Sequence, residues 1–114
     1  MNVHRPPSLT GRYGLFTLPP IEQSRAAPVL LGLVRFETGV RSPESGMRTS
    51  GVHELGYVVR GRLRIETASG VHEVAAGDIL TSSPAVSHST TALEDSEIFF
   101  VLIDPHLAEQ PQAK

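Results

Sequence analysis

Two stretches of this chain decide its fold. Residues 54–61 read Glu-Leu-Gly-Tyr-Val-Val-Arg-Gly, and residues 77–88 read Gly-Asp-Ile-Leu-Thr-Ser-Ser-Pro-Ala-Val-Ser-His. Each combines a short apolar run with a glycine turn, which is typical of a β-strand next to a tight connection. Glu54 and His88 stand at the two outer ends of this unit. We therefore expect a compact antiparallel arrangement in which one carboxylate and one imidazole face the same pocket.

Further strand-like runs lie on both sides of these stretches. Apolar or alternating runs occupy residues 13–18, 29–37, 55–59, 62–67, 71–75, 79–81, 88–92 and 96–103. Turn residues separate them at intervals of roughly ten residues, as in antiparallel sandwiches and barrels. The pattern predicts an all-β chain. The segment 39–51, rich in small and polar residues, is predicted to be a long irregular loop of the kind that often carries function.

The length and composition are those of one globular domain. A chain of 114 residues supports a single core. Within it we expect an extended arm at 1–12, a barrel core at 29–103 and a tail at 104–114. The chain has no cysteine, so a metal site would have to use histidine and carboxylate ligands.

The charge balance bears on partners. The formal net charge is -2, which leaves no cationic surplus for a nucleic-acid backbone. The amino terminus lacks the apolar core of a signal peptide, and no apolar run approaches the ~20 residues that span a bilayer. We expect a soluble cytoplasmic protein that binds neither nucleic acid nor membrane.

With these motifs the chain resembles the cupin superfamily, the small antiparallel jelly-roll barrels, over residues 29–103. One cupin motif runs from a glycine through a His-x-His pair to a glutamate and closes at a glycine seven residues later, and Glu54 and Gly61 have that spacing. The other runs from a glycine to a histidine eleven residues further on, and Gly77 and His88 have that spacing. The resemblance implies a jelly-roll fold with Glu54 and His88 inside the barrel.

The chain departs from the cupin pattern at the His-x-His pair. Counted forward from Gly39, the pair falls on Ser45 and Met47. Counted back from Glu54, it falls near Arg48 and Ser50. Neither alignment supplies an imidazole.

A metal site is therefore incomplete in the sequence. The resemblance implies a divalent ion such as Fe, Mn, Ni or Zn, and such an ion needs about three or four protein ligands. Glu54 and His88 are the two matched ligands. His53 is a third candidate, but neighbours on a strand point to opposite faces, so it would reach inward only at a β-bulge. We expect any divalent ion to bind weakly.

The other histidine and arginine residues of the core region are predicted to lie on the surface. His72 lies in a short hairpin strand and is predicted to face solvent. Arg60, Arg62 and Arg64 alternate with other residues along the chain, which predicts a solvated strand face rather than an anion site.

Two functions fit this pattern. A binding module would hold a small organic ligand in an apolar barrel mouth with a few polar groups. A small enzyme of isomerase, lyase or dioxygenase type would use Glu54 and His88 as an acid–base pair or as ligands of a weakly held metal. The absence of the His-x-His pair favours binding, because a binding site needs no metal.

Strand parity further predicts a homodimer. If Glu54 points into the barrel, then Leu55, Tyr57 and Val59 point outward. Three apolar side chains in a row on an exposed face call for a covering strand or a partner. We expect residues 13–18 to cover them, from the same subunit or from a neighbouring one.

Overall fold

The computed structural model describes residues 1, 3–18 and 29–104, and every regular element in these ranges is a β-strand. The strands are β1 (Tyr13–Thr17), β2 (Val29–Phe36), β3 (Arg41–Ser42), β4 (Arg48–Thr49), β5 (His53–Arg60), β6 (Arg62–Thr67), β7 (Gly70–Ala75), β8 (Ile79–Ser82), β9 (Ser87–Ala92) and β10 (Ser96–Ile103). The all-β prediction is confirmed. Of the predicted tail, only Asp104 lies within the described residues, and these contain no helix able to cross a bilayer.

The strands form two antiparallel sheets. One sheet has the order β1-β2-β10-β5-β8, and the other has the order β3-β9-β6-β7, with β4 also paired to β9. The inner faces of both sheets contribute to one hydrophobic core. This is the predicted jelly-roll architecture.

The segment 39–51 differs from its prediction as an irregular loop. It contains β3 and β4, which pair in succession with β9: Arg41 lies opposite Thr91, and Arg48 lies opposite His88. Each strand has only two residues, too few to show an alternating pattern. They form because the edge of β9 offers backbone groups that must be paired.

The connection between β3 and β4 is held by one side chain. Arg41 donates from Nη1 to the carbonyl oxygen of Pro43 at 2.7 Å and from Nη2 to that of Gly46 at 2.8 Å. The guanidinium thus replaces the backbone partners that a longer hairpin would provide. As a result, Arg48 enters the sheet at a defined register.

The core lies at one end of the barrel, near the turn between β5 and β6. Val58 and Leu63 flank this turn and are fully buried. Burial of each such side chain contributes about 1.5–3 kcal/mol. The buried hydrophobic residues are Val34, Phe36, Val40, Val58, Leu63, Val74, Ala92 and Ile98.

Gly61 makes the β5–β6 turn. Its φ is +90°, a backbone conformation that favours glycine, and a Cβ at this position would overlap Ser96 Oγ and the carbonyl oxygen of Asp95. Ser96 is fully buried. Its Oγ accepts a hydrogen bond from the Arg62 N–H at 3.0 Å and donates one to the Glu94 carbonyl at 2.7 Å. The turn therefore has no room for a side chain.

The adjacent turn between β9 and β10 is tied to the end of β2. Asp95 Oδ1 accepts hydrogen bonds from the backbone N–H and the Oγ1 of Thr38, each at 2.8 Å. These two bonds hold the pKa of Asp95 below its ordinary value. The carboxylate is therefore ionised at neutral pH.

Strand β1 is not where it was expected. It pairs with β2 at the edge of its sheet, with Tyr13 opposite Phe36 and their rings 5.5 Å apart in an edge-on contact. The prediction that residues 13–18 cover Leu55, Tyr57 and Val59 within the subunit is therefore wrong. The pairing follows from the free edge of β2, which offers a full set of backbone hydrogen bonds.

The outer side of this sheet is left apolar. Leu55, Tyr57 and Val59 are 43–45% exposed, and Ile79 and Phe99 beside them are 68% and 37% exposed. We call these five residues the outer apolar face. The three side chains of β5 among them point outward, as strand parity predicted, because Glu54 and Val58 at alternate positions of β5 are less exposed.

Substitution of Gly61 tests the packing at the turn. We expect Gly61→Ala to lower the free energy of unfolding well beyond the ~1–2 kcal/mol of a left-handed alanine, because a clash adds to the backbone strain. Gly77→Ala is the matched control, since Gly77 has φ +95° but nothing within 4 Å of an added Cβ. Urea unfolding would measure both. Equal losses for the two variants would show that Gly61 is needed only for its backbone conformation.

Candidate ligand-binding cavity

The barrel holds an open cavity of about 730 Å³ between its two sheets, and the polar groups of this cavity lie toward the end opposite the Gly61 turn. This volume lies within the range of small-molecule sites. Both sheets line it. Its apolar wall includes Leu30, Val34, Phe36, Ile65, Ile98 and Phe100, and its polar groups include Ser42, Arg48, Glu54, Thr67, Ser82 and His88.

Two glycines lie next to the cavity, and one of them, Gly56, lines it. Gly32 and Gly56 both lie on the inner face, where each is paired with Phe100 of β10. The two positions differ in how the space beside them is filled. The ring of Phe100 occupies the place beside Gly32, because a Cβ there would overlap it. Beside Gly56, an added Cβ would meet only ordinary contacts of 3.5–3.7 Å with Ile98 and Leu80.

Glu54 lies near the start of β5. It pairs with Ser82 on one side and Leu102 on the other, and all three line the cavity. The residue is half-buried. Among the described residues, no hydrogen bond or ion pair involves its carboxylate. The group is therefore available to a ligand.

His88 lies on β9 in the other sheet, between Arg48 and Thr67. Its Nδ1 atom is buried and has no hydrogen-bond partner among the described residues. Buried polar atoms are nearly always paired, and an unpaired one costs about 1–3 kcal/mol. A bound group that pairs with this nitrogen would recover part of that free energy.

Arg48 also lines the cavity. The sequence pattern indicated it only as a residue near the place where the first histidine of the His-x-His pair would fall. It lies on β4 directly opposite His88. Its Nη2 donates to Ser42 Oγ at 3.4 Å, a long bond, and within the described residues it contacts no carboxylate. The signal in the sequence was its position six residues before Glu54. What could not be foreseen was that this segment forms a strand.

His72 is placed differently from its prediction. It is exposed as expected, but it lies opposite Ile65 in the hairpin and lines the rim of the cavity. Val74, two residues later on the same face, is buried. This two-residue parity was the available signal, because side chains at i and i+2 share one face of a strand.

The structure brings two of the three predicted site residues to the cavity. Glu54 and His88 both line it, from opposite sheets, and no hydrogen bond joins them. His53 is exposed and does not line the cavity. The register irregularity of β5 lies opposite Glu97 and Ile98, at the far end of the strand, so no bulge turns His53 inward.

The side chains present do not fit a tightly held metal ion. In the described ranges, no group of three His, Cys, Asp or Glu residues is arranged to hold one. Glu54 and His88 are two donors, and the Arg48 guanidinium, which has no lone pair to offer, would repel a divalent cation. The expectation of weak metal binding stays a prediction.

The other core arginines are engaged elsewhere. Arg60, Arg62 and Arg64 each form an ion pair with a glutamate. The hydrogen bonds that Arg62 donates to Glu94 and to Glu73 raise the pKa of its guanidinium. Such exposed pairs contribute little to stability, but they occupy the cations. None of these three arginines lines the cavity.

The two cavity glycines should respond differently to alanine. We expect Gly56→Ala to be neutral or to stabilise by up to ~1 kcal/mol, because glycine in a strand carries an entropic cost and the methyl group has room. Gly32→Ala should destabilise by about 1–3 kcal/mol, because Phe100 and the neighbouring backbone must move. Thermal or urea unfolding of both variants measures this. A Gly32→Ala protein as stable as Gly56→Ala would refute the described packing of Phe100.

Comparison with known proteins supports the fold. A family model described as the AraC-like ligand binding domain matches residues 30–113. No curated protein matches the chain at a significant level. Many solved structures do match.

Three of these solved structures are cupins. A cupin 2 conserved barrel domain protein from Salinispora arenicola has 19% identity and a TM-score of 0.73, with 96% of this chain and 95% of that one covered. The cupin domain of Schizosaccharomyces pombe Cnp3 has 12% identity and a TM-score of 0.72, with coverages of 93% and 74%. An RmlC-like cupin from Shewanella frigidimarina has 14% identity and a TM-score of 0.66, with coverages of 84% and 79%. The cupin prediction is thus confirmed, and at these identities the likeness concerns the fold alone.

Proposed function

The chain belongs to the AraC-like ligand binding domain family, and we propose that it binds a small organic molecule in the open end of its barrel. The observation that carries this proposal is the cavity itself, with its largely apolar wall and polar groups without protein partners. A binding site of this kind orients its ligand through a few polar contacts and gains affinity from apolar burial.

A neutral probe tests the cavity without presuming the ligand's charge. We expect 3-phenylpropan-1-ol to bind with a dissociation constant of about millimolar magnitude, as ligand efficiency predicts for about ten heavy atoms. Titration of ¹⁵N-labelled protein should shift the amide signals of Ile65 and Phe100. Gly56→Leu should weaken binding, because Gly56 lines the cavity and an added Cβ there makes only ordinary contacts, so the longer side chain would occupy cavity space.

The control for this titration removes an aromatic ring outside the cavity. Tyr57→Ala alters the outer apolar face and should leave the affinity unchanged. Binding that persists in Gly56→Leu but is lost in Tyr57→Ala would contradict the proposal, because it would place the probe on the outer face.

A catalytic function is the second candidate. The observation in its favour is that Glu54 and the half-buried His88 line one cavity. An acid–base pair would need each group within hydrogen-bond reach of the substrate's proton. Because no hydrogen bond joins the two side chains, the arrangement supports binding more directly than proton transfer between them.

The outer apolar face supports a homodimer as a further part of the proposal. Its five residues lie on the adjacent strands β5, β8 and β10 and form one surface. A sheet face packs against its own copy around a two-fold axis, with each residue meeting its equivalent or a near neighbour. We therefore propose a second copy of this chain as the partner.

Introduction of a negative charge into the outer apolar face tests the dimer. We expect light scattering to give a dimer mass for the unmodified protein at micromolar concentration, and a monomer mass for Tyr57→Glu, because two buried carboxylates would face each other across the axis. Val71→Glu is the control, since Val71 is an exposed strand residue in the other sheet. A monomer mass for the unmodified protein, or dissociation by Val71→Glu alone, would contradict this interface.

A further inference from the structure

We propose that the ligand carries a carboxylate, and that Arg48 and His88 together bind it. This inference rests on the proposed function, because it names the chemical class that the cavity takes. It also implies that the positive charge that meets the ligand comes from Arg48 and not from a bound metal ion.

Arg48 brings a positive charge to the cavity that no carboxylate neutralises. Among the described residues, its guanidinium has only the 3.4 Å bond to Ser42 Oγ. By contrast, the exterior Arg60, Arg62 and Arg64 all have glutamate partners. A guanidinium presents paired N–H donors whose geometry matches the two oxygens of a carboxylate. Arg48 is therefore suited to an anionic ligand.

His88 lies beside Arg48 on the same face. The two residues are direct partners across β4 and β9, and the Cβ atoms of such partners are about 4.5–5.5 Å apart. The buried Nδ1 of His88 has no partner in the described chain. A turn of the imidazole about its Cβ–Cγ bond would bring this nitrogen to the cavity, where in the tautomer that carries a proton on Nδ1 it would donate to one carboxylate oxygen while Arg48 donates to the other.

The pairing of β4 with β9 is held in place on the next residue. Thr49 Oγ1 forms a hydrogen bond with Ser87 Oγ across the same two strands. The two-residue strand is thus attached at both of its residues by backbone pairing and at one by side chains. Arg48 reaches the cavity from a fixed backbone rather than from a free loop.

The charges of the cavity favour a monoanion. Arg48 is the one permanent cation among the described cavity residues, and Glu54 contributes a negative charge from the opposite sheet. Glu54 repels a phosphate dianion about twice as strongly as a carboxylate, and the single charge of a carboxylate is balanced by Arg48. Glu54 would repel the carboxylate from its own side and accept a hydrogen bond from a hydroxyl or amine elsewhere on the ligand. The ligand class is therefore an organic monocarboxylate with an apolar body.

The experiment compares two probes with the same skeleton. Titrations of ¹⁵N-labelled protein with 3-phenylpropionate and with 3-phenylpropan-1-ol, both in the presence of EDTA, give the two dissociation constants. We expect the acid to bind about tenfold more tightly, because one partly exposed charge-assisted hydrogen bond contributes about that factor to the affinity. Arg48→Met should remove this advantage, so that the acid and the alcohol bind this variant with similar affinities. Arg48→Lys should retain part of it, because the charge stays while the paired donors are lost.

The matched control is Arg64→Met, which removes one cation from outside the cavity and should change neither affinity. Equal binding of acid and alcohol, or an acid preference that survives Arg48→Met, would overturn the inference while the proposed cavity stands. A preference seen only when EDTA is replaced by a divalent metal would overturn it as well, as would tighter binding of inorganic phosphate at equal ionic strength. Failure of the alcohol to bind would instead refute the proposed function.

Discussion

The structure depends on how two sheets fill the space between them. At the closed end, inward positions carry branched side chains such as Val58 and Leu63, and the turn at Gly61 packs without a gap against Ser96. Toward the open end, Gly56 on β5 has no side chain, while the space beside Gly32 on β2 is filled by Phe100. The same alternation of side chains therefore produces a solid core and a cavity in one barrel. The chain pays for this cavity with apolar burial that it forgoes at one end.

The polar groups of the cavity follow from this division. An unpartnered carboxylate or a buried unpaired nitrogen would destabilise a closed core, but at an open mouth each can be satisfied by what enters. Glu54, His88 and Arg48 lie there on three different strands, whereas Arg60, Arg62 and Arg64 outside the cavity each pair with a glutamate. Arg48 is thus a cavity-lining cation without a carboxylate partner among the described residues, and this charge defines the chemistry of the cavity. The apolar wall supplies affinity, and these three groups supply orientation.

Much of the fold was predictable because alternation is a local signal. Residues 62–67 and 96–103 form strands with the predicted bounds, and the spacing from Glu54 to Gly61 located the first turn of the barrel. Strands of two residues have no alternation, so β3 and β4 were missed, and with them the route by which Arg48 reaches the cavity. The pairing of β1 with β2 was missed because backbone hydrogen bonding to a free edge leaves no mark on side-chain patterns. His72 is exposed as predicted, and its place in the cavity lining could have been inferred from the shared strand face of His72 and Val74.

The central claim is that the open end of the barrel, rather than the outer apolar face, binds a ligand whose charge is met by Arg48. The most direct test is a crystal structure of the protein with 3-phenylpropionate. The account predicts the carboxylate within hydrogen-bond distance of Arg48 and of His88 Nδ1, with the phenyl ring against Phe100 and Ile65. A probe bound at Tyr57 and Phe99, or one inside the barrel with its carboxylate turned away from Arg48, would contradict it.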